Sequence, residues 1–196
     1  MRRIVTSAAA AAALSLIGCQ GGGTTAADNA SADASSAAAP AATAAVSAMP
    51  ADWKATDACS IIDKAEMAAV MKSEVTQTAL DMASEPGPGS AGTSQCTYTL
   101  VDGGKATVMT RWSPIADNSA EAIAATRAAA ASSVKAFTDR PVEDVPGVGK
   151  AAFLVPGINQ FNVFLDDSRM MIITLADAPA GEGKAMAVAL AKKAGA

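Results

Sequence analysis

The chain has 196 residues, a formal net charge of −4 and no histidine. An acidic chain without a basic cluster argues against recognition of nucleic acid or of an anionic lipid surface through charge. Without an imidazole, general acid–base catalysis would fall to Asp, Glu, Lys or Tyr98, and nothing in the sequence picks one out.

The N-terminus reads as an export signal. Arg2 and Arg3 supply a positive start, and Ile4 to Ile17 is an uncharged, alanine-rich run of fourteen residues. That is the length of a signal-peptide core and is too short to span a bilayer, which takes about 20 residues. The run ends at Leu16-Ile17-Gly18-Cys19. This tetrapeptide resembles the lipobox of bacterial lipoproteins. The resemblance implies a signal peptide over 1–18, cleavage between Gly18 and Cys19, and acylation (palmitate among the chains) of Cys19 as the new N-terminus. An ordinary secretory signal with a chance cysteine is the alternative. Cleavage removes two arginines and no acid, taking the formal charge from −4 to −6. Two or three acyl chains would anchor firmly, since each buried CH₂ contributes about 0.8 kcal/mol and one chain alone binds only marginally. Gln20 follows the cysteine, where an aspartate would signal inner-membrane retention in enteric-type bacteria. The expected location is therefore the cell envelope, with the outer membrane facing the periplasm ranked above the inner membrane.

Residues 19–50 contain Ala, Ser, Gly, Thr, Asp and Pro and almost nothing large and apolar. Such a segment cannot bury enough surface to offset its ordering entropy, so a disordered tether is expected. As a flexible coil it spans roughly 30 Å, which would let the domain float near the membrane rather than rest on it.

The remainder, 51–196, is expected to form one globular domain. Asp63 can cap a helix and Glu66 can reach back to it in a capping box, with Ile62 and Met67 at the staple positions. Met67, Val70 and Met71 share a face. A strand is expected from Val75 to Leu80, then a loop over Glu85-Pro86-Gly87-Pro88-Gly89-Ser90. Gln95 to Leu100 alternates, with Cys96, Tyr98 and Leu100 on one side. Asp102-Gly103-Gly104 is a hairpin turn, and Lys105 to Trp112 returns with Ala106, Val108, Thr110 and Trp112 on one face. Pro114 ends that strand. Asn118 and Glu121 suggest a second capping box, opening an alanine-rich helix to Val134 with Ile123 and Ala124 inward.

Pro141 to Val145 and Lys150 to Val155 read as short strands about the turn Pro146-Gly147-Val148-Gly149. Gln160 to Leu165 alternates Phe161, Val163 and Leu165 against Asn162 and Phe164. Arg169 to Leu175 is apolar on both faces, which suggests a central strand covered on both sides. A last helix from Glu182 to Lys193 places Met186, Ala189 and Leu190 inward. Gln95–Ala130 and Gln160–Lys193 both read strand, turn, strand, helix, an echo that raises an internal ββα duplication.

With Cys19 assigned to lipid, Cys59 and Cys96 remain, and an even remainder in an exported chain reads as one disulfide; two buried free thiols are the alternative. Four stretches resemble a group of small bacterial lipoprotein domains that includes the DUF3558-like ones. They are Asp57-Ala58-Cys59-Ser60-Ile61-Ile62, Glu66-Met67, Cys96-Thr97-Tyr98 and Val145-Pro146-Gly147-Val148-Gly149-Lys150-Ala151-Ala152. The likeness covers most of residues 55–193 and is structural: a bridge, a capped helix and a glycine turn. It implies no functional residues.

Chemistry-bearing motifs are few. Ser132-Ser133-Val134-Lys135 fits the S-x-x-K of penicillin-binding enzymes but lacks the S-D-N and K-T-G partners. Gly147-Val148-Gly149-Lys150 resembles the end of a phosphate loop but has Asp144 and Ala151 where glycine and Ser or Thr are needed. Glu143-Asp144 and Asp166-Asp167 lack the alternating oxygen donors of a calcium loop. The nine methionines fit core filling at Met67, Met71 and Met186 better than soft-metal binding. Trp53 and Trp112 line a ligand face or simply pack. The expected protein is an α+β domain with a mainly antiparallel sheet, helices packed on one side and a Cys59–Cys96 bridge. It carries no catalytic residue, no metal and no cofactor. The expected role is non-enzymatic binding of an envelope protein partner or ligand while tethered; the alternatives are a carrier of a small apolar ligand and, below that, an envelope hydrolase.

Overall fold

In the computed structural model, residues 48–196 are described. The signal, the cleavage site at Gly18 and Cys19, and almost all of the tether lie outside them. Chain order is α1 (Ala58–Ile61), α2 (Lys64–Met71), β1 (Val75–Ser84), β2 (Gly92–Leu100), β3 (Lys105–Trp112), α3 (Ala120–Val134), β4 (Glu143–Asp144), β5 (Ala151–Val155), β6 (Gln160–Phe164), β7 (Arg169–Thr174) and α4 (Gly183–Lys193). The seven strands form one sheet in the order β1-β2-β3-β7-β6-β5-β4, and every neighbouring pair is antiparallel.

The β2–β3 hairpin is built as its alternation requires. Cys96 faces Val108 and Tyr98 faces Ala106 across the pair, all four buried in the larger of two apolar clusters. α2 is capped as expected: Asp63 accepts from the Glu66 amide at 2.7 Å, and the Glu66 carboxylate accepts from the Asp63 amide at 3.1 Å. Ile62 and Met67 close the staple, both fully buried. The Cys59–Cys96 disulfide, with Cα atoms 5.1 Å apart, joins α1 to β2. Two hydroxyls on the sheet hold the entering chain: Ser94 Oγ donates to the Ala55 carbonyl at 2.7 Å and accepts from the Ala58 amide at 2.8 Å, while Thr110 donates to the same carbonyl at 3.1 Å.

The helices do not all lie on one side of the sheet. The first cluster joins α1, α2 and α4 to Val108, Val163, Met171 and Ile173. The second joins Val134, Ala130 and Ile123 of α3 to Phe153, Phe164, Met170 and Ile172. Because successive strand residues point to opposite faces, Met170 and Met171 place α3 across the sheet from the other three helices. This corrects the expected single-sided packing. It also explains why β7 is apolar on both faces, and why Asn162 and Phe164 of β6 are buried along with Phe161 and Val163 on the opposite face.

Gln95–Ala130 and Gln160–Lys193 run strand, turn, strand, helix, as β2-β3-α3 and β6-β7-α4, and meet at the β3–β7 ladder. A two-fold axis relating antiparallel neighbours would set α3 and α4 on the same face, and they lie on opposite ones. Several bounds shift. β1 runs to Ser84 rather than Leu80. Ser119, not Asn118, caps α3, accepting from the Ala122 amide at 3.2 Å. Ala124 is exposed, as is Ala189 in α4, where Ala187 and Ala191 take the inward positions.

Candidate functional site

One end of the sheet gathers the residues that could meet a ligand. Gly92 opens β2 opposite Trp112, which closes β3. The loop between β1 and β2 folds back over this point, so closely that a Cβ on Gly92 would come within 2.9 Å of the Pro86 ring. Pro114 and Ile115 follow Trp112. Together Pro86, Pro88, Trp112, Pro114 and Ile115, with the loop glycines 87 and 89, line a solvent-open recess of about 370 Å³. Among the described residues no charged side chain lines it. Trp112 forms its wall while remaining 7% exposed, and its indole Nε1 has no hydrogen-bond partner among the described residues.

Charged groups brace the neighbouring ground. Arg169, the first residue of β7, pairs with Trp112 across the ladder. Its guanidinium stacks over Trp53 at 5.5 Å from the ring centroid, and its Nε donates to Asp166 at 2.7 Å. Asp166 also accepts from the amides of Ser168 and Arg169. Burial opposes ionisation of Asp166, but these two amides and then the guanidinium outweigh it and hold the carboxyl below its ordinary value. Asp117 follows the same pattern, with burial offset by the hydrogen bond and charge of Arg111. Asn118 is buried; its Nδ2 donates to the carbonyls of Asp166 and Arg169 at 2.9 and 3.0 Å, and its Oδ1, the atom a cap would use, accepts from Arg111 at 3.4 Å. Lys150 ties its own turn to Asp167 and, at 2.6 Å, to the Asn118 carbonyl. These contacts lock three loops together at the end of the sheet that bears the recess.

The other sequence candidates are scattered. Ser132, Ser133 and Lys135 sit exposed at the end of α3. Gly147 to Lys150 is a strand-connecting turn in which Gly149 has φ +58°. Glu143 and Asp144 form the short edge strand and pair with Arg140, Lys184 and Arg127. Met67, Met71 and Met186 are buried in the first cluster. Among the described residues, no three Cys, Asp or Glu side chains are grouped to hold a metal ion, and no helix is long and apolar enough to cross a membrane. Trp53 packs in the core, whereas Trp112 both packs and lines the recess. The sequence marked Pro86 to Gly89 only as a loop and Pro114 only as a strand end; the β2–β3 register is what brings them together. No protein-family model matches this chain, and neither a curated protein nor a solved structure matches it.

Proposed function

We propose that this chain is a lipid-anchored domain of the bacterial cell envelope that works by binding rather than by catalysis, with the Trp112 recess as its binding surface. The anchor is Cys19, released as the mature N-terminus after Gly18, and the site is the outer membrane facing the periplasm. The observation that carries the binding role is the recess itself: an uncharged, open, aromatic- and proline-walled surface on a braced sheet end. Apolar lining with a rigid support is the ordinary character of a binding site. The DUF3558-like resemblance agrees with a structural domain of this kind and adds no activity to it.

Carriage of a small apolar ligand is the second function compatible with these walls. The recess opens to solvent, so a ligand held there would remain partly wet, which favours a larger partner over a sequestered cargo. A photo-crosslinking residue at Ile115 tests the surface in cells, with exposed Ala128 on α3 as the control position. A defined adduct at 115 and none at 128 supports the recess. Indistinguishable adducts at both positions reject it. Intact mass of the membrane-extracted protein tests the anchor: Cys19 must be N-terminal and acylated.

A further inference from the structure

The recess lies where the chain enters the domain. Ala48 and Pro50 line a second recess that shares Trp112 with the first and also touches Asp166 to Arg169. The described chain therefore enters the domain at this end. Two apolar side chains stand out here: Met49 is 41% exposed and Ile115 is 39% exposed. An exposed apolar surface at the point where a membrane tether attaches has a partner close at hand.

We propose that the Trp112 recess, with Ile115 in its lining and the exposed Met49 between Ala48 and Pro50 of the adjoining recess, seats against the acyl region of the bilayer that holds the anchor. This rests on the lipid-anchored function above and names the partner of the same surface. A tether of about thirty residues keeps the domain at an effective concentration on the order of mM beside the membrane, so a contact too weak to hold a free protein suffices. The lining supports lipid over peptide: prolines, a tryptophan and an isoleucine offer apolar contact and no charged group to select a side chain. Tryptophan suits the boundary between hydrocarbon and water. The carboxylates of Asp166 and Asp167 beside the surface are paired with Arg169 and Lys150, so the contact is expected to rest on apolar area rather than on lipid charge. The tether then serves to reach the membrane and the recess to orient the domain upon it, so that the domain rests there rather than floating beside it as the tether's reach alone would allow.

The chain has two tryptophans, so Trp53→Phe leaves Trp112 as the sole emitter. The acylated, full-length mature protein is placed in phosphatidylcholine nanodiscs with plain or brominated acyl chains. Bromination is expected to lower Trp112 emission about twofold, and Ile115→Glu or Pro88→Glu to abolish that difference. Equal emission on both lipids, in a sample with verified acyl mass on Cys19, overturns the membrane contact while leaving the binding function standing. Absence of acyl mass overturns both. Should Trp53→Phe fail to fold, a photo-crosslinker at Ile115 in the otherwise unaltered protein reads the same contact: a lipid adduct supports it, and a protein adduct alone overturns it.

Discussion

Tyr98 reaches across the first core to donate its hydroxyl hydrogen to the carbonyl of Ile62. That carbonyl lies between the two short helices, one residue before the Asp63 cap. The bond therefore pins the α1–α2 junction to the sheet, beside the disulfide from Cys96, two residues away on the same face of β2. Tyr98→Phe keeps the ring and strips the donor from a buried carbonyl. The expected loss is about 1–3 kcal/mol, read as a lower urea midpoint with an unchanged slope.

The same residue predicts an alkaline limit. Burial first, then the charges of Asp63, Glu66 and Asp57, raise the Tyr98 pKa above its ordinary value of 10.0. The folded state thus holds the proton more tightly than the unfolded chain. The stabilisation is complete below about pH 10 and falls as the pH rises beyond it, with a slope approaching one proton per molecule. Tyr98 is the only tyrosine, so phenolate absorbance follows this one group. Unfolding and ionisation should coincide in the wild type, and Tyr98→Phe should lack that slope.

The disulfide closes a loop between residues 37 apart in sequence. On the chain-entropy account its reduction costs about 3–4 kcal/mol. Urea denaturation with and without reductant measures this, and Cys59→Ala with Cys96→Ala should match the reduced protein. In the oxidised domain neither thiol should alkylate before unfolding in reductant.

Gly149 sits at φ +58°, and a Cβ there would lie 2.5 Å from the Phe164 carbonyl oxygen. That carbonyl accepts from the Lys150 amide at 2.7 Å, so it cannot retreat without breaking the turn. Gly149→Ala should cost at least about 2 kcal/mol through backbone strain and steric clash. Gly147, with φ +77° but nothing within 4 Å of its Cβ position, should cost about 1 kcal/mol on the same substitution. Thermal unfolding of the two variants side by side separates crowding from conformation.

What the sequence displayed and what it hid follow from how each element is covered. β2 and β3 bury one face and expose the other, so their period of two is printed in the residues. Asp63 and Glu66 mark their helix because both partners of the capping box are local. α3 offers no such mark: alanine occupies inner Ala130 and Ala131 and outer Ala124 and Ala128 alike, so no apolar stripe tells which side packs. The two-sided apolar character of Arg169 to Leu175 does imply a second covering layer, and α3 is the element that supplies it. The recess was hidden for another reason. Its walls come from separate segments, and only the pairing of Gly92 with Trp112 and the fold-back of Pro86 bring them together.

The braces behind the recess should fail in acid. Asp117 and Asp166 both have carboxyls held below the ordinary value of 3.8, Asp117 by Arg111 and Asp166 by two amides and Arg169, each against an opposing cost of burial. A depressed folded pKa means that the unfolded chain binds the proton first as pH falls. The stabilisation is therefore present above about pH 4 and is lost below it, as the pH descends through the folded values. Asp166→Asn can still accept the two amides through its carbonyl oxygen but cannot ionise against Arg169. The variant should be less stable than wild type at pH 6 and approach it at pH 2.5. Urea midpoints at the two pH values test this, and a constant difference between the proteins would show that the turn geometry, not the charge of Asp166, supports the sheet end.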